Sequence, residues 1–172
     1  MGFTIIEILV VITIIIVLAG LILATSGYVH NKGARSRAEA EIAALSAALE
    51  NYKADNGVYP SDGATTSLDA KLDKDSTQTT YQAASLLLYE QLSGDLDNNR
   101  SAETKSYFTY KDNQLSPQTG NVTFVKDPFG NSYGYSTANQ TDSAKGYNPT
   151  FDLWSTAGAT AGNDQSKWIK NW

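Results

Sequence analysis

The chain starts with an almost uninterrupted apolar run and then changes to mixed apolar and polar patterns. From Ile8 to Ala24 no charged residue occurs, and about 20 apolar residues suffice to cross the hydrocarbon core of a bilayer as a helix. The run is longer than the roughly 7–15 apolar residues of a removed secretory signal, and no small-x-small cleavage site follows it. This pattern predicts a helix that remains in the mature protein as a membrane anchor.

A second apolar pattern with helical spacing follows the anchor. Its members recur at intervals of four and three residues: Ala38, Ile42, Leu45, Leu49 and Tyr52. Such spacing places them on one face of an amphipathic helix, which we expect to pack under a sheet. Gly57 favours a left-handed cap and Pro60 cannot continue a helix, so the helix should end near Asn56.

The middle of the chain predicts a loop and a second helix. Residues 61–80 are rich in Ser, Thr and Asp with little apolar content, which is typical of an exposed loop. Residues 81–92 place Ala84, Leu87 and Leu88 on one face of a helix that ends at Gly94. A helix–loop–helix arrangement should therefore precede the strands.

Three later segments have strand patterns, at 106–111, 121–126 and 132–137. Between the last two, Asp127 to Asn131 contains Pro128 and Gly130, which suit a tight turn. The patterns together predict an α+β fold. A long N-terminal helix, half apolar and half amphipathic, packs on a small antiparallel sheet with a second short helix.

Glu7 lies within the apolar N-terminal segment. An ionised carboxylate in a bilayer costs roughly 2.5–3.5 kcal/mol on insertion scales, and the first cation lies beyond residue 30, more than roughly 30 Å away along a helix. If the chain is cut after Gly2, the new amine of Phe3 lies close by, and on a neighbouring subunit it is the natural counter-ion. Glu7 would then be unpaired in the isolated subunit and paired in a polymer. The alternative is an ordinary signal anchor whose Glu7 reaches the headgroup boundary.

Four stretches of this sequence resemble the pilin-like superfamily. Gly2-Phe3-Thr4-Ile5-Ile6-Glu7 resembles the class III signal of type IV pilins and type II secretion pseudopilins, in which a prepilin peptidase cuts after the glycine and methylates the new N-terminal Phe. Residues 127–133 resemble the Asp-Pro-aromatic-Gly-Asn-x-Tyr stretch of the major pseudopilins. Residues 151–155 and Asn171-Trp172 resemble that family's C-terminal signature. Roughly residues 61–120 carry none of these motifs.

The resemblance implies a type IV pilin-like fold and a structural role. Residues 1–2 would be a leader, 3–26 a transmembrane and fibre-core helix, and 27–172 a periplasmic head. The single-pass inner-membrane precursor would be processed at Gly2 and Phe3 and would polymerise through Phe3 and Glu7 into a secretion pseudopilus. Implied partners are other copies of the chain, prepilin peptidase, minor pseudopilins, an assembly platform with its ATPase, a secretin, and membrane lipid before assembly.

The leader departs from the family's usual pattern. The family carries Lys or Arg before the glycine, whereas here Lys32, Arg35 and Arg37 follow the apolar segment. The positive-inside rule would orient such a segment the other way. We therefore expect a basic residue in frame just upstream of Met1.

The resemblance also implies a calcium site in the C-terminal loop. The available oxygens belong to the Leu153 carbonyl and to Ser155, Asn163, Asp164 and Ser166. Calcium takes six to eight oxygen ligands, but this set holds one carboxylate, and Trp168 stands where the family usually has an aspartate. The alternative is a loop held by packing of Trp168, Ile169 and Trp172.

A second, weaker calcium pattern is Asp95-x-Asp97-x-Asn99. Arg100 occupies the position where a calcium loop needs glycine, and Ser106 the position of its bidentate Glu. The alternative is a polar turn that follows the Gly94 cap.

Composition narrows the function classes. A formal net charge of −5 argues against nucleic-acid binding. Cysteine is absent, so the chain forms no disulfide or thiolate metal site, and His30 is the only histidine. No group of residues predicts an enzyme. The remaining alternatives are a subunit of a surface type IV pilus and a membrane-tethered module that binds glycans through some of the ten tyrosines.

Overall fold

The computed structural model describes residues 2, 4–159 and 165–172, with the backbone alone for 23–26. The chain forms two compact units, Met1–Ala34 and Arg35–Trp172. Helix α1 (Ile5–Asn56) contributes to both. By length and composition, α1 is the one described helix that could cross a membrane.

The second unit contains two more helices, α2 (Gly63–Ser67) and α3 (Thr79–Ser93), and five short strands. The strands are β1 (Leu115–Ser116), β2 (Phe124–Val125), β3 (Gly134–Ser136), β4 (Asp152–Ser155) and β5 (Ile169–Lys170). Single 3-10 turns span Asp112–Gln114, Ala138–Gln140 and Gln165–Lys167. Strands β1 and β2 form an antiparallel pair, and β3, β4 and β5 form a second antiparallel sheet in that order.

The amphipathic half of α1 supplies one side of the main core. Ala38, Ile42, Leu45 and Leu49 are buried, and they share a cluster with residues of α3 and of both sheets. Burial of each large apolar side chain contributes about 1.5–3 kcal/mol. This face is therefore confirmed, as is the predicted α+β class.

Both predicted helix ends are confirmed. Gly57 has a φ of +80° and its N–H donates to Lys53 O at 2.7 Å, directly after the end of α1. Gly94 has a φ of +78° and its N–H donates to Glu90 O at 3.0 Å after α3. The left-handed conformation that each cap needs is one that glycine adopts without a steric penalty.

The prediction of an exposed loop over 61–80 is right for only part of the segment, because 63–67 form α2 and five residues are buried. Asp62 caps α2, accepting from Thr65 N at 2.8 Å while Asp62 N donates to Thr65 Oγ1 at 2.9 Å. Thr65 and Leu68 are buried, and Thr137 donates to Thr65 through its N–H and through Oγ1, both at 3.0 Å. Polar residues fill this part of the interior because their groups bond to one another, so no apolar pattern marks it.

Two of the three predicted strands are confirmed. Segment 121–126 contains β2 and segment 132–137 contains β3. Segment 106–111 contains no strand. The N–H groups of Tyr107 and Phe108 instead donate to Leu92 O at 2.8 and 2.9 Å, and the aromatic rings of this segment pack against the core. Its alternation of side chains therefore serves packing against the end of α3.

A second core cluster surrounds Trp154 of β4 and includes Tyr81 of α3 and Trp168. Gly134 lies directly opposite Trp154 in the sheet. A Cβ atom at Gly134 would lie 2.2 Å from Trp154 Cε2, well inside van der Waals contact. The absence of a side chain at residue 134 therefore makes the space in which the indole ring packs.

Candidate functional site

The start of α1 is capped by its own side chains. Thr4 donates to Glu7 Oε2 through both its N–H and its Oγ1, each at 2.7 Å, and Glu7 N donates to Thr4 Oγ1 at 3.4 Å. This reciprocal arrangement is a capping box, which satisfies N–H groups that a helix start leaves free. Glu7 is thus hydrogen-bonded within its own chain, which the sequence analysis missed. The signal was the Thr-x-x-Glu spacing before an apolar run.

Among the described residues, Glu7 has no ion-pair partner. In the part of the chain that the structure describes, the ion pairs are Arg100–Asp112 and Lys105–Asp55. Gly2 is exposed, and Phe3, predicted as the processed N-terminus, lies outside the described residues. Hydrogen bonds from Thr4 hold the carboxylate at the helix start without neutralising it.

The apolar surface of α1 around Glu7 is exposed. Every large apolar side chain described from Ile5 to Ile22 has at least half of its surface accessible, from 50% at Val10 to 86% at Ile5. A surface this apolar requires lipid or another protein surface to cover it. The first unit is therefore built for a membrane or for contact with other chains.

The predicted calcium ligands are partly engaged by the protein itself. Leu153 O accepts from Asn171 N at 3.2 Å. Ser155 Oγ donates to Asp127 Oδ2 at 2.5 Å and accepts from Ala157 N at 3.1 Å. Asn163 and Asp164 lie outside the described residues, and Ser166 lies in the last 3-10 turn. The Leu153 carbonyl and the Ser155 hydroxyl therefore already take part in hydrogen bonds within the protein, and calcium binding in this loop stays a prediction.

Aromatic packing holds the described C-terminal residues. Trp168 stacks on Trp154 with ring centroids 5.9 Å apart and planes at 7°, and the ring edge of Trp172 meets Trp154 at 5.8 Å. Arg35 Nη1 donates to Lys167 O at 2.8 Å, and Gln165 Nε2 donates to Ala70 O at 2.8 Å. The packing alternative from the sequence is therefore present in the structure, with Trp168 and Ile169 buried.

Asp127 ties the predicted turn to strand β4. Its Oδ1 accepts from Phe129 N at 3.0 Å and Asn131 N at 2.8 Å, and its Oδ2 accepts from Ser155. Burial raises the pKa of this carboxyl to about 6, although the three hydrogen bonds favour the charged form. The turn is confirmed, and its first residue is a buried acid that links two elements.

We expect this carboxyl to make stability depend on pH. The folded-state pKa of Asp127, about 6, lies above its ordinary value of 3.8. Its stabilising contribution is therefore complete below pH 3.8 and disappears as the pH rises through 6. At about 1.4 kcal/mol per pH unit, the difference is about 3 kcal/mol. Asp127→Asn should accordingly gain stability relative to the unmodified chain between about pH 4 and pH 7.

Urea unfolding of both chains in EDTA, at several pH values across this range, measures that difference. Asn keeps the Oδ1 acceptor for Phe129 N and Asn131 N, so the turn is retained. A free-energy difference that stays constant with pH would contradict a raised pKa at Asp127.

The Asp95 loop is a polar turn. Asp95 accepts from Tyr89 Oη at 2.6 Å, from Arg100 N at 2.7 Å and from Asn99 N at 3.1 Å. Burial opposes ionisation of Asp95, but these hydrogen bonds outweigh it and lower its pKa. Burial first, and then the hydrogen bond to Asp95, raise the pKa of Tyr89 to about 12. The Asp95 carboxylate therefore stabilises the turn through hydrogen bonds within the protein.

The same loop gathers three carboxylates. Oxygens of Asp95, Asp97 and Glu103 lie within 4.8 Å of one another. Glu103 is not part of the Asp95-x-Asp97-x-Asn99 pattern, and it joins the loop by accepting a hydrogen bond from Leu96 N at 2.7 Å. Its distance along the chain from Asp95 hid this contact.

The tyrosines are mainly structural. Five of the ten are buried in the cores: Tyr59, Tyr81, Tyr89, Tyr133 and Tyr135. Tyr28 is 73% exposed and Tyr147 is 42% exposed. The described tyrosines therefore do not support a glycan-binding face. His30 is exposed on α1.

The fold and the exposed N-terminal helix define a class of protein. A long helix that changes from apolar to amphipathic, packed on a small antiparallel sheet with a shorter second helix, is a type IV pilin-like arrangement. Residues 28–100 match the family described as Type II secretion system (T2SS), protein G. Part of the stretch that lacked motifs, residues 61–100, is therefore similar to that family as well.

A curated relative shows the same similarity. Over 60 residues, 35% of this chain, the sequence is 45% identical to Type II secretion system core protein G of Pectobacterium carotovorum subsp. carotovorum. The chain spans 38% of the length of that relative. No solved structure matches the chain. The resemblance to the major pseudopilins of type II secretion is confirmed by the family and the relative.

Proposed function

We propose that this chain is a structural subunit of a type II secretion pseudopilus and catalyses no reaction. The observation that carries the proposal is the start of α1, where a capped carboxylate with no ion-pair partner among the described residues lies among exposed apolar side chains. The similarity of residues 28–100 to the protein G family supports a pseudopilus over a surface pilus.

The geometry supports polymerisation through α1. Thr4 binds the Glu7 carboxylate and holds it at the helix start, where the positive end of the helix dipole favours a negative charge. We propose that cleavage after Gly2 creates a Phe3 amine that pairs with Glu7 of a neighbouring subunit. An ion pair in a low-dielectric fibre core is much stronger than one in water. Charge pairing and burial of the apolar surface would then act together.

The setting follows from this assembly. Before polymerisation the exposed apolar part of α1 would lie in the inner membrane, with the head in the periplasm. Minor pseudopilins, the platform protein with its ATPase, and the secretin are the proposed partners, in addition to other copies of the chain. Fibre growth would drive protein secretion mechanically.

Processing provides the direct test. The full-length gene product is expressed with and without a prepilin peptidase, and the intact mass of the membrane fraction is measured. We expect the peptidase to remove the residues through Gly2 and to add one methyl group to Phe3. A chain that keeps Gly2 and still assembles into sheared, visible fibres would contradict the proposed role of the Phe3 amine.

Calcium in the C-terminal loop stays a prediction of the resemblance. A ligand that binds only the folded state raises stability as its concentration exceeds its dissociation constant. If the prediction is right, calcium raises the thermal midpoint of the full chain in detergent, EDTA reverses the rise, and Asp164→Asn abolishes it while Asp142→Asn does not. A thermal midpoint that changes with neither calcium nor EDTA would contradict the calcium prediction and would attribute the stability of the C-terminal loop to tryptophan packing.

A further inference from the structure

A surface of aromatic rings and lysines lies near the beginning of α3. The aromatic–lysine surface consists of Lys71, Leu72, Tyr147, Lys170 and Trp172. Tyr147 and Trp172 stack with centroids 4.7 Å apart and planes at 11°. Lys170 Nζ lies 4.9 Å from the Trp172 ring centroid and 5.8 Å from that of Tyr147, and Lys71 Nζ lies 5.5 Å from the Tyr147 centroid.

This surface is accessible and holds two lysines. Leu72 is 76% exposed and Tyr147 is 42% exposed. The ion pairs of the described residues involve neither Lys71 nor Lys170. Lys71 Nζ donates to Ala144 O at 2.8 Å, and its charge favours the ionised form of the nearby Asp152. Exposed aromatic rings with cations at their rim suit a partner that offers carboxylates.

Such carboxylates occur on another part of the same chain. The acidic loop, defined by Asp95, Asp97 and Glu103, holds three carboxylates within 4.8 Å of one another. Asp95 faces inward and is satisfied by Tyr89 and by backbone N–H groups. Asp97 and Glu103 are exposed, so their charges repel each other at the surface until a cation compensates them.

Helix α3 keeps the two surfaces apart within one molecule. Tyr81, in its first turn, lies in the cluster that packs against Trp172, whereas Gly94 ends the helix directly before Asp95. The 15 residues of α3 span about 22 Å, which exceeds the Debye length of about 8–10 Å at ordinary salt. The two surfaces therefore do not neutralise each other within one molecule.

We infer that the aromatic–lysine surface of one copy docks the acidic loop of a second copy. Lys71 and Lys170 would compensate Asp97 and Glu103, while Leu72 and the ring edges exclude water. Because two different surfaces meet, the contact is heterologous, and its repetition gives a ring or an open fibre instead of a closed dimer. The proposed function requires the open fibre. The inference rests on the proposed function for its setting. It adds a contact between the heads of neighbouring copies to the pairing through α1.

Cross-linking in fibres of the full chain tests the contact. The chain has no cysteine, so every disulfide must join introduced residues. A chain with Leu72→Cys is co-expressed with a chain carrying Asp97→Cys. A second pair combines Lys170→Cys in one chain with Glu103→Cys in the other. A disulfide forms only where the two Cα atoms lie within about 7 Å, so each product reports a close contact. We expect cross-linked dimers from these pairs and a ladder of multimers when both cysteines share one chain. Dimers from a single variant alone, or no product from either pair, would overturn the inference.

Exchange of charges between the two surfaces provides a second test of the contact. Lys71→Glu with Lys170→Glu should lower the yield of fibres about tenfold, as should Asp97→Lys with Glu103→Lys, and all four changes in one chain should restore it. Asp97→Asn with Glu103→Gln keeps the loop's hydrogen-bond acceptors and should give a smaller loss. Lys111→Glu, at an exposed lysine outside both surfaces, should have no effect. Unchanged fibres from both reversed pairs would overturn the contact and leave the proposed function standing. An unmodified chain that forms no fibres would overturn the proposed function itself.

Discussion

We expect Glu7→Ala to abolish fibre assembly while the chain still inserts into the membrane. The substitution removes both the charge and the two hydrogen bonds from Thr4. Insertion should become easier, because an ionised carboxylate at membrane depth costs roughly 2.5–3.5 kcal/mol. Carbonate extraction of membranes measures insertion, and electron microscopy of sheared material measures fibres.

Two further substitutions separate the charge from the cap. Glu7→Gln removes the charge but suits a capping box as well as Glu does, so it should fail in assembly like Glu7→Ala. Thr4→Val removes the Oγ1 that donates to Glu7 and leaves the charge, so it should weaken assembly without abolishing it. Normal fibres from Glu7→Gln would show that Glu7 acts through the cap, and the proposed pairing with the Phe3 amine would be wrong.

We expect Trp154→Ala to destabilise the second unit by about 3–5 kcal/mol, the range for loss of a buried Trp or Phe side chain. Trp154 is fully buried and contacts the rings of Tyr81, Trp168 and Trp172. Its loss should also release the C-terminal residues, because Trp168 stacks directly on it. The midpoint of urea unfolding of the full chain in detergent measures the change.

Two matched substitutions check the cause. Leu72→Ala removes a side chain that is 76% exposed and should change stability by less than about 0.5 kcal/mol. Gly134→Ala places a methyl group against the same indole, and overpacking of this kind costs about 1–3 kcal/mol. If Trp154→Ala were as mild as Leu72→Ala, the aromatic cluster would not be what holds the C-terminus.

Local sequence patterns predicted much of the fold. The apolar run, the spacing of Ala38 to Tyr52, and the glycines after α1 and α3 each depend on residues close together in the chain, and the structure confirms the elements and ends that they predict. The Thr4–Glu7 cap is equally local, so its spacing was readable although the analysis overlooked it. The resemblance at residues 2–7 led to the same family that residues 28–100 match.

Tertiary structure decided what depends on distant residues. Burial of Thr65 arises from bonds such as the one that Thr137 donates, and the chain course at 106–111 arises from packing on the end of α3. Gly134 is needed because Trp154 lies across the sheet, and Glu103 reaches Asp95 by a fold of the loop. Sequence periodicity reports which face of one element is apolar. It does not report which element will cover that face, because that choice depends on how well separate segments pack together.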